Sequence, residues 1–283
     1  MTGSLSKCPP ARRHPGDRSS TVPDKNLYGL APEVMVTAVG HLRIVTLNRP
    51  EHRNGINRVM HQSLARLWQD LADDDDVRAV VLTGAGECFS AGGDFDYMQE
   101  NIDDAEMRSQ TISETRAIIT GMVRCPVPVI AAVNGPAVGL GCSLAVLSDI
   151  VLLAEGSFLA DPHLRMGLVP GDGGLALPAL VGLGRAKEYL FLGERIPAER
   201  AVQVGIASRV VTAVDLLTEA IALAERLAAV PPAALQDTKR ALNGYLDYQL
   251  DRAFESAVQA ELRSMHSGEH REAVAGAKAR SAR

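Results

Sequence analysis

Two β-branched apolar runs flank Gly40 and His41 in "VMVTAVGHLRIVTL" (34–47), a pattern that predicts a hairpin. After the turn "NRPEHRNG", Met60, Leu64, Leu67, Trp68 and Leu71 recur at helical spacing, and the acidic run "DDDD" closes that helix as a solvated connection. "VRAVVLTG" is short and nearly all apolar, as expected of a strand buried on both faces. The order then repeats with a polar helix from about Ala105 to Val123, the strand "PVPVIAAVNG", a small-residue helix "GLGCSLAVLS" and the strand "DIVLLAE". Alternation at this scale predicts parallel strands joined by right-handed crossovers, an α/β class. Beyond Gly184 helices dominate: "VDLLTEAIALAERLAAV", then "PPAALQDTKRALNGYL" with a proline suited to a first turn, then the amphipathic "DRAFESAVQAELRSM". The expected organisation is a disordered extension over 1–32, rich in Pro, Arg, Ser and Asp, an α/β core over 33–212, and a helical region over 213–283.

Composition changes this picture little. With 46% hydrophobic and 22% charged residues among 283, the chain can bury a sizeable core. A net charge of −5 and few aromatics leave no basic stripe, so nucleic acid is not an expected partner. No apolar run approaches the ~20 residues that span a bilayer, so no membrane partner is expected either. Cys8, Cys88, Cys125 and Cys142 form no CxxC pair or disulfide framework, which fits a reducing, cytoplasmic setting.

Glycine falls where two buried strands end, in "VVLTGAGECFSAGGDFDYM" and "VIAAVNGPAVGLGCSLAVLSD". Small residues there let a ligand approach the backbone and leave N–H groups free to donate. In the second segment the glycines open a helix, adding the positive end of its dipole. The same glycines also suit tight turns and helix–sheet packing. Neither GxxxxGK[ST] nor GxGxxG occurs, which disfavours a nucleotide triphosphate or NAD site.

"LNRPEHRNGIN", "VVLTGAGECFSAGGDFDYM", "AAVNGPAVGLGCSLAVLSDI" and "MGLVPGDGG", in this order, resemble the enoyl-CoA hydratase/isomerase (crotonase) superfamily, and "GRAKEYLFLGERIPAERAVQVGIASRVV" resembles its next segment. The resemblance implies a ββα-repeat spiral core with trailing helices that assemble as a homotrimer or a hexamer. It implies an acyl-CoA substrate, coenzyme A being part of that substrate, with no separate cofactor and no metal. By position the backbone N–H groups of Ala91 and Leu140 become the oxyanion donors. Ala91, Gly92, Gly93 and Asp94 border the thioester, and Arg53, Asn54, Gly55 and Ile56 match the adenine-binding turn.

The two glutamates used by hydratases of this family correspond here to Ser143 and His163, neither a carboxylate, so two-carboxylate water addition is not available in its usual form. His163 exchanges protons near neutrality, and Asp172, in "PGDGG", lies in the turn that the family places beside the acyl group. Asp172 also suits a turn or a helix N-cap, and Ser143 a plain helix position. His61, on the first core helix, is the third candidate. His61, His163 and Asp172 together resemble the superfamily's carbon–carbon bond hydrolases of cyclic β-diketones, although those enzymes carry a histidine where this chain has Leu140. An acyl-CoA-binding protein with little catalysis is a further alternative. The C-terminal "REAVAGAKARSAR" has Gly276 and Ala277 where family members carry an adenine-covering aromatic, with Lys278 and Arg280 still available.

Overall fold

The computed structural model describes residues 26–281. The hairpin forms as β1 (Val34–Val39) and β2 (Leu42–Leu47), with Gly40 at φ +57° in the turn. Next come α1 (Arg58–Ala72), β3 (Ala79–Gly84), α2 (Phe95–Asp103), α3 (Ala105–Arg124), β4 (Val129–Val133), β5 (Ala137–Val138), α4 (Leu140–Val146), β6 (Ile150–Ala154) and β7 (Phe158–Ala160). The chain continues through α5 (Leu177–Val181), α6 (Leu183–Leu192), β8 (Ile196–Pro197), α7 (Ala198–Gln203), β9 (Arg209–Val211), α8 (Leu216–Ala228), α9 (Pro232–Ser264) and α10 (Gly268–Ser281).

The main sheet has the order β1-β2-β3-β4-β6-β9, antiparallel only at β1–β2 and parallel elsewhere. Helices cover both faces, which is why its strands read as unbroken apolar runs. On one side Leu42, Val81, Ile130 and Leu152 meet Leu216, Ala220 and Ala224 of α8. On the other, Val45, Leu82 and Val129 share a core with Leu64, Leu67 and Trp68 of α1 and Ile118 and Met122 of α3. Each valine, leucine, isoleucine or methionine among them contributes roughly 1.5–3 kcal/mol on burial.

A smaller sheet, β5-β7-β8, continues this layering. Single parallel bridges extend it, Ser90 to Ala137 and Gly93 to Ile56. Both glycine-rich segments and the 56 turn therefore lie side by side on one surface.

Two expectations need correction. Residues 26–32 of the supposed extension are folded: Asn26 donates to the carbonyls of Leu30, Ala31 and Val34 and accepts from Val36 N–H, while Tyr28 donates to Asp74. Residues 1–25, and Cys8 with them, lie outside the described residues. The two helices expected between 231 and 265 are one helix, α9, because no breaker separates the two amphipathic patterns. The segment after the first glycine cluster forms α2, which Asp94 caps by accepting from the N–H groups of Asp96 and Tyr97.

The helical region folds back on its own chain. Phe254 and Val258 of α9 enter the main core, and Lys239 of α9 pairs with Asp149 at 2.7 Å. α10 packs on α2 and on the turn after His163, where His270 Nδ1 lies 2.6 Å from Met166 O.

Candidate active site

The paired segments at 56, 90–93 and 137–139 form the floor of a cavity of about 270 Å³. Gly92, at φ +88°, is required there: a Cβ on it would fall 2.9 Å from the Val138 carbonyl oxygen. Gly139, at φ +53°, would place its Cβ 3.8 Å from both Gly92 Cα and His163 Cε1. The two glycine clusters and His163 thus converge within a few ångströms.

Backbone hydrogen bonding identifies which amides remain available. Ser90 N–H donates to Pro136 O, Gly92 N–H to Ser90 Oγ, and Asp94 N–H to Ile56 O. Ala91, the sequence-based donor candidate, is excluded because its N–H is given to Arg53 O at 3.0 Å. Gly93 N–H has no acceptor among the described residues. Across the floor, Val138 N–H goes to Ser90 O and Gly139 N–H to Ala160 O, while Leu140 N–H, in the first turn of α4, has no acceptor among the described residues. Gly93 and Leu140 both line the cavity.

His163 and Asp172 meet in this cavity. His163 Nε2 lies 3.8 Å from Asp172 Oδ2, and Nδ1 is hydrogen-bonded to Asp161, which sequence reasoning missed. Its signal is local, a carboxylate two residues before the histidine in "ADPHL". Burial disfavours charge on His163, but the carboxylates of Asp161 and Asp172 outweigh it and raise the imidazole to about 10. Burial would lift Asp161 as well, yet the His163 charge and hydrogen bonds hold it below its ordinary value. Asp172 is shifted upward, chiefly by burial and against the pull of His163. The arrangement is an imidazolium between two carboxylates, with Asp172 the carboxylate on the Nε2 side.

Asp172 also caps the following turn through Gly174 N–H at 3.5 Å, so its turn role and its cavity role coexist. Ligand atoms of Asp161, His163 and Asp172 come within 4.8 Å of one another. With Nδ1 engaged by Asp161, the free nitrogen and Asp172 supply two ligands, fewer than a structural or catalytic metal site uses.

His61 lines the same cavity but belongs to a different cluster. Its Nδ1 pairs with Glu114 at 2.7 Å, Nε2 lies 3.4 Å from the Thr115 hydroxyl, and its ring tilts against Tyr97. Tyr97, Thr111 and Asn101 extend that polar wall. No hydrogen bond among the described residues joins His61 to His163 or Asp172.

Ser143 is a buried helix residue whose hydroxyl donates to Gly139 O, with Gly173 packed against it. Asn54, expected to touch ligand, is fully buried: its side chain donates to Ala85 O and Cys88 O and accepts from Arg49 N–H, holding the turn. Asp94 is committed to capping α2 and to Arg49 at 3.1 Å. Gly55 donates to His52 O and Ile56 lines the cavity, leaving exposed Arg53 as the turn's available side chain. Lys278 pairs with Asp96 at 2.6 Å, and Ala277 is buried.

Glu261 of α9 is the other group missed. It reaches the cavity, and its Oε2 is buried with no hydrogen-bond partner among the described residues. A Cβ on Gly171 would fall 2.3 Å from that oxygen, so the backbone beside Asp172 admits the carboxyl only because residue 171 is glycine. The sequence signal was a carboxylate within the apolar stripe Val258, Leu262, Met265.

Residues 39–279 match the family model described as enoyl-CoA hydratase/isomerase. The crystal structure of an enoyl-CoA hydratase/isomerase from Mycobacterium paratuberculosis is similar with a TM-score of 0.86 and 48% identity, covering 88% of this chain and all (100%) of that one. The short-chain-enoyl-CoA hydratase of Clostridium acetobutylicum is 33% identical over 81% of this chain and 88% of its own length. The 2,3-dehydroadipyl-CoA hydratase of Escherichia coli is 34% identical over 74% of this chain and 81% of its own. The chain therefore belongs to the enoyl-CoA hydratase/isomerase family and is an enzyme of the crotonase superfamily.

Proposed function

We propose that the protein acts on an acyl-CoA thioester by proton transfer through an enolate, its oxygen held by the N–H groups of Gly93 and Leu140. The observation that carries this is the pairing of two uncommitted amides with a buried imidazolium–carboxylate set around one cavity. An enolate concentrates negative charge on the thioester oxygen, where fixed donors are worth most. Asp172, a carboxylate made more basic by burial, is the base at carbon. His163, charged up to about 10, is not a base at neutral pH; it holds Asp172 in place and offsets charge built up nearby. The mostly apolar remainder of the wall suits an acyl chain, and Arg53 at the exposed turn suits the phosphates of coenzyme A.

With Ser143 and His163 at the positions of the hydratase glutamates, migration of a double bond fits these groups better than simple hydration. The carbon–carbon hydrolase alternative loses support from Leu140 and from the commitment of His61 to Glu114. Self-association belongs to the same reading: Leu183, Phe191 and Leu192 of α6 are exposed apolar residues, and light scattering that returned a monomer would remove it. The reaction is tested by incubation with crotonyl-CoA, a longer 2-enoyl-CoA, a 3-enoyl-CoA and a cyclic β-diketone. The expected result is turnover of the 3-enoyl thioester, lost in Asp172→Asn. Turnover of the diketone alone would reverse the assignment, and calorimetric binding of coenzyme A without turnover of any compound would favour a binding protein.

A further inference from the structure

Glu261 plays no part in the chemistry described so far, yet its position is costly. A carboxyl with a buried, unpartnered oxygen forfeits hydration without a compensating hydrogen bond. The chain nevertheless places it on the apolar stripe of α9 and keeps Gly171 opposite it, where any side chain would collide. Val258 and Met265, one turn to either side, pack in the core, so α9 would dock equally well with an apolar residue at 261. The Glu261 carboxyl lines the cavity, and its buried oxygen has no partner among the described residues, so the protein leaves this carboxyl free to act on a bound ligand.

We propose that Glu261 is the acid of the reaction: it enters turnover protonated and delivers its proton to the carbon of the enolate remote from the one Asp172 attacks. This inference rests on the acyl-CoA reading above. The step balances without any outside reagent. Asp172 takes a proton as a C–H bond breaks, and the electron pair moves into the dienolate. The Glu261 O–H bond then breaks as the new C–H bond forms at the other end, leaving Glu261 a carboxylate. The proton on Asp172 returns to Glu261 before the next turnover, restoring both groups.

The surroundings support this protonation state. Burial and then the Asp172 charge push Glu261 up to about 8, opposed by His163, with Asp161 adding to the rise. These three groups, on the turns packed against α9, are the titratable side chains among the described residues that act on it; His270, on α10, is hydrogen-bonded to Met166 O and feels His163. An acid poised near the working pH is the most effective general acid.

The test uses the full-length protein and Glu261→Gln, which keeps the shape and a hydrogen-bond donor but has no proton to give. Carbon-13 NMR of side-chain carboxyls, compared between wild type and variant, is expected to show one signal titrating near pH 8 that the variant lacks. With a 3-enoyl-CoA as probe, wild-type kcat is expected to fall above pH 8. The variant is expected to lose about 10²-fold in kcat and to show no such limb, at little change in KM. A variant as fast as wild type with the alkaline limb intact would overturn the role of Glu261 and leave the acyl-CoA reading standing. Loss of activity with the limb retained would also overturn it, marking Glu261 as structural. A wild type inert toward every acyl-CoA would overturn both, and is told apart by the wild-type rate itself.

Discussion

Two histidines line one cavity, and their neighbours separate them. His163 has a carboxylate at each nitrogen, Asp161 hydrogen-bonded at Nδ1 and Asp172 at 3.8 Å from Nε2. His61 has a carboxylate at Nδ1 only, and its other nitrogen meets the hydroxyl of Thr115. The first wall carries three carboxyls around one imidazolium and adjoins the free amides; the second is a closed set of hydroxyls, an amide and one histidine–carboxylate hydrogen bond whose members satisfy one another. Residue type alone makes the two histidines equivalent candidates. What distinguishes them is unmet capacity, because groups already paired have little left to offer a substrate.

The sharpest way to break that contrast is substitution at the first wall. Asp172→Asn is expected to lower kcat by about 10²–10⁴-fold in steady-state assays, the range for loss of a positioned acid or base. Next comes the floor between the walls. Gly92→Ala forces a Cβ to within 2.9 Å of Val138 O at φ +88°, displacing the Gly93 amide; a fall of about 10²-fold in kcat, as for loss of one oxyanion donor, is expected. At the second wall, His61→Gln is expected to change kcat by less than about 10-fold, with any larger effect appearing in KM. Equal losses for His61→Gln and Asp172→Asn would erase the distinction.

The same contrast has a pH signature in stability. His163 is raised from 6.5 to about 10, so the stability it contributes is fully present below pH 6.5 and is lost as pH rises through 10. Glu261 is raised from 4.5 to about 8, so folding is increasingly opposed as pH rises through that window. Thermal scans from pH 5 to 9 should therefore show a falling Tm. Glu261→Gln should be more stable than wild type at pH 8, and the wild-type advantage over His163→Gln should shrink toward pH 10. The smallest expected effect is at the exposed turn, where Arg53→Ala should raise KM for a CoA thioester a few-fold, less so at high salt.

Much of the fold was legible because its signals are periodic and local. The hairpin, the parallel strands and the helices at 58–72, 105–124 and 140–146 follow directly from the alternation of buried runs and helical stripes. His163 and Asp172 were legible as candidates from residue type and their glycine- and proline-flanked turns, and the fold brings them to 3.8 Å of each other. That the Ala91 amide is engaged was not legible: it is taken by Arg53 O, some forty residues away in sequence, while Gly92 N–H goes to Ser90 Oγ, so only the folded chain shows which amide of this cluster is left over. Glu261 was missed because its partner-free burial arises only when α9 folds over Gly171. Asn54 reads as a ligand contact in sequence and is a turn-holding residue in space, since only the fold brings Ala85 and Cys88 to its amide.

The central claim is that this cavity generates an enolate from a thioester, and exchange at carbon tests it without depending on any later step. A saturated acyl-CoA incubated with the protein in D2O should incorporate deuterium at the carbon next to the carbonyl, measured by mass spectrometry, and Asp172→Asn should slow that incorporation by about 10²-fold or more. Binding of the thioester with no incorporation by the wild type, or incorporation unaffected by Asp172→Asn, would contradict it.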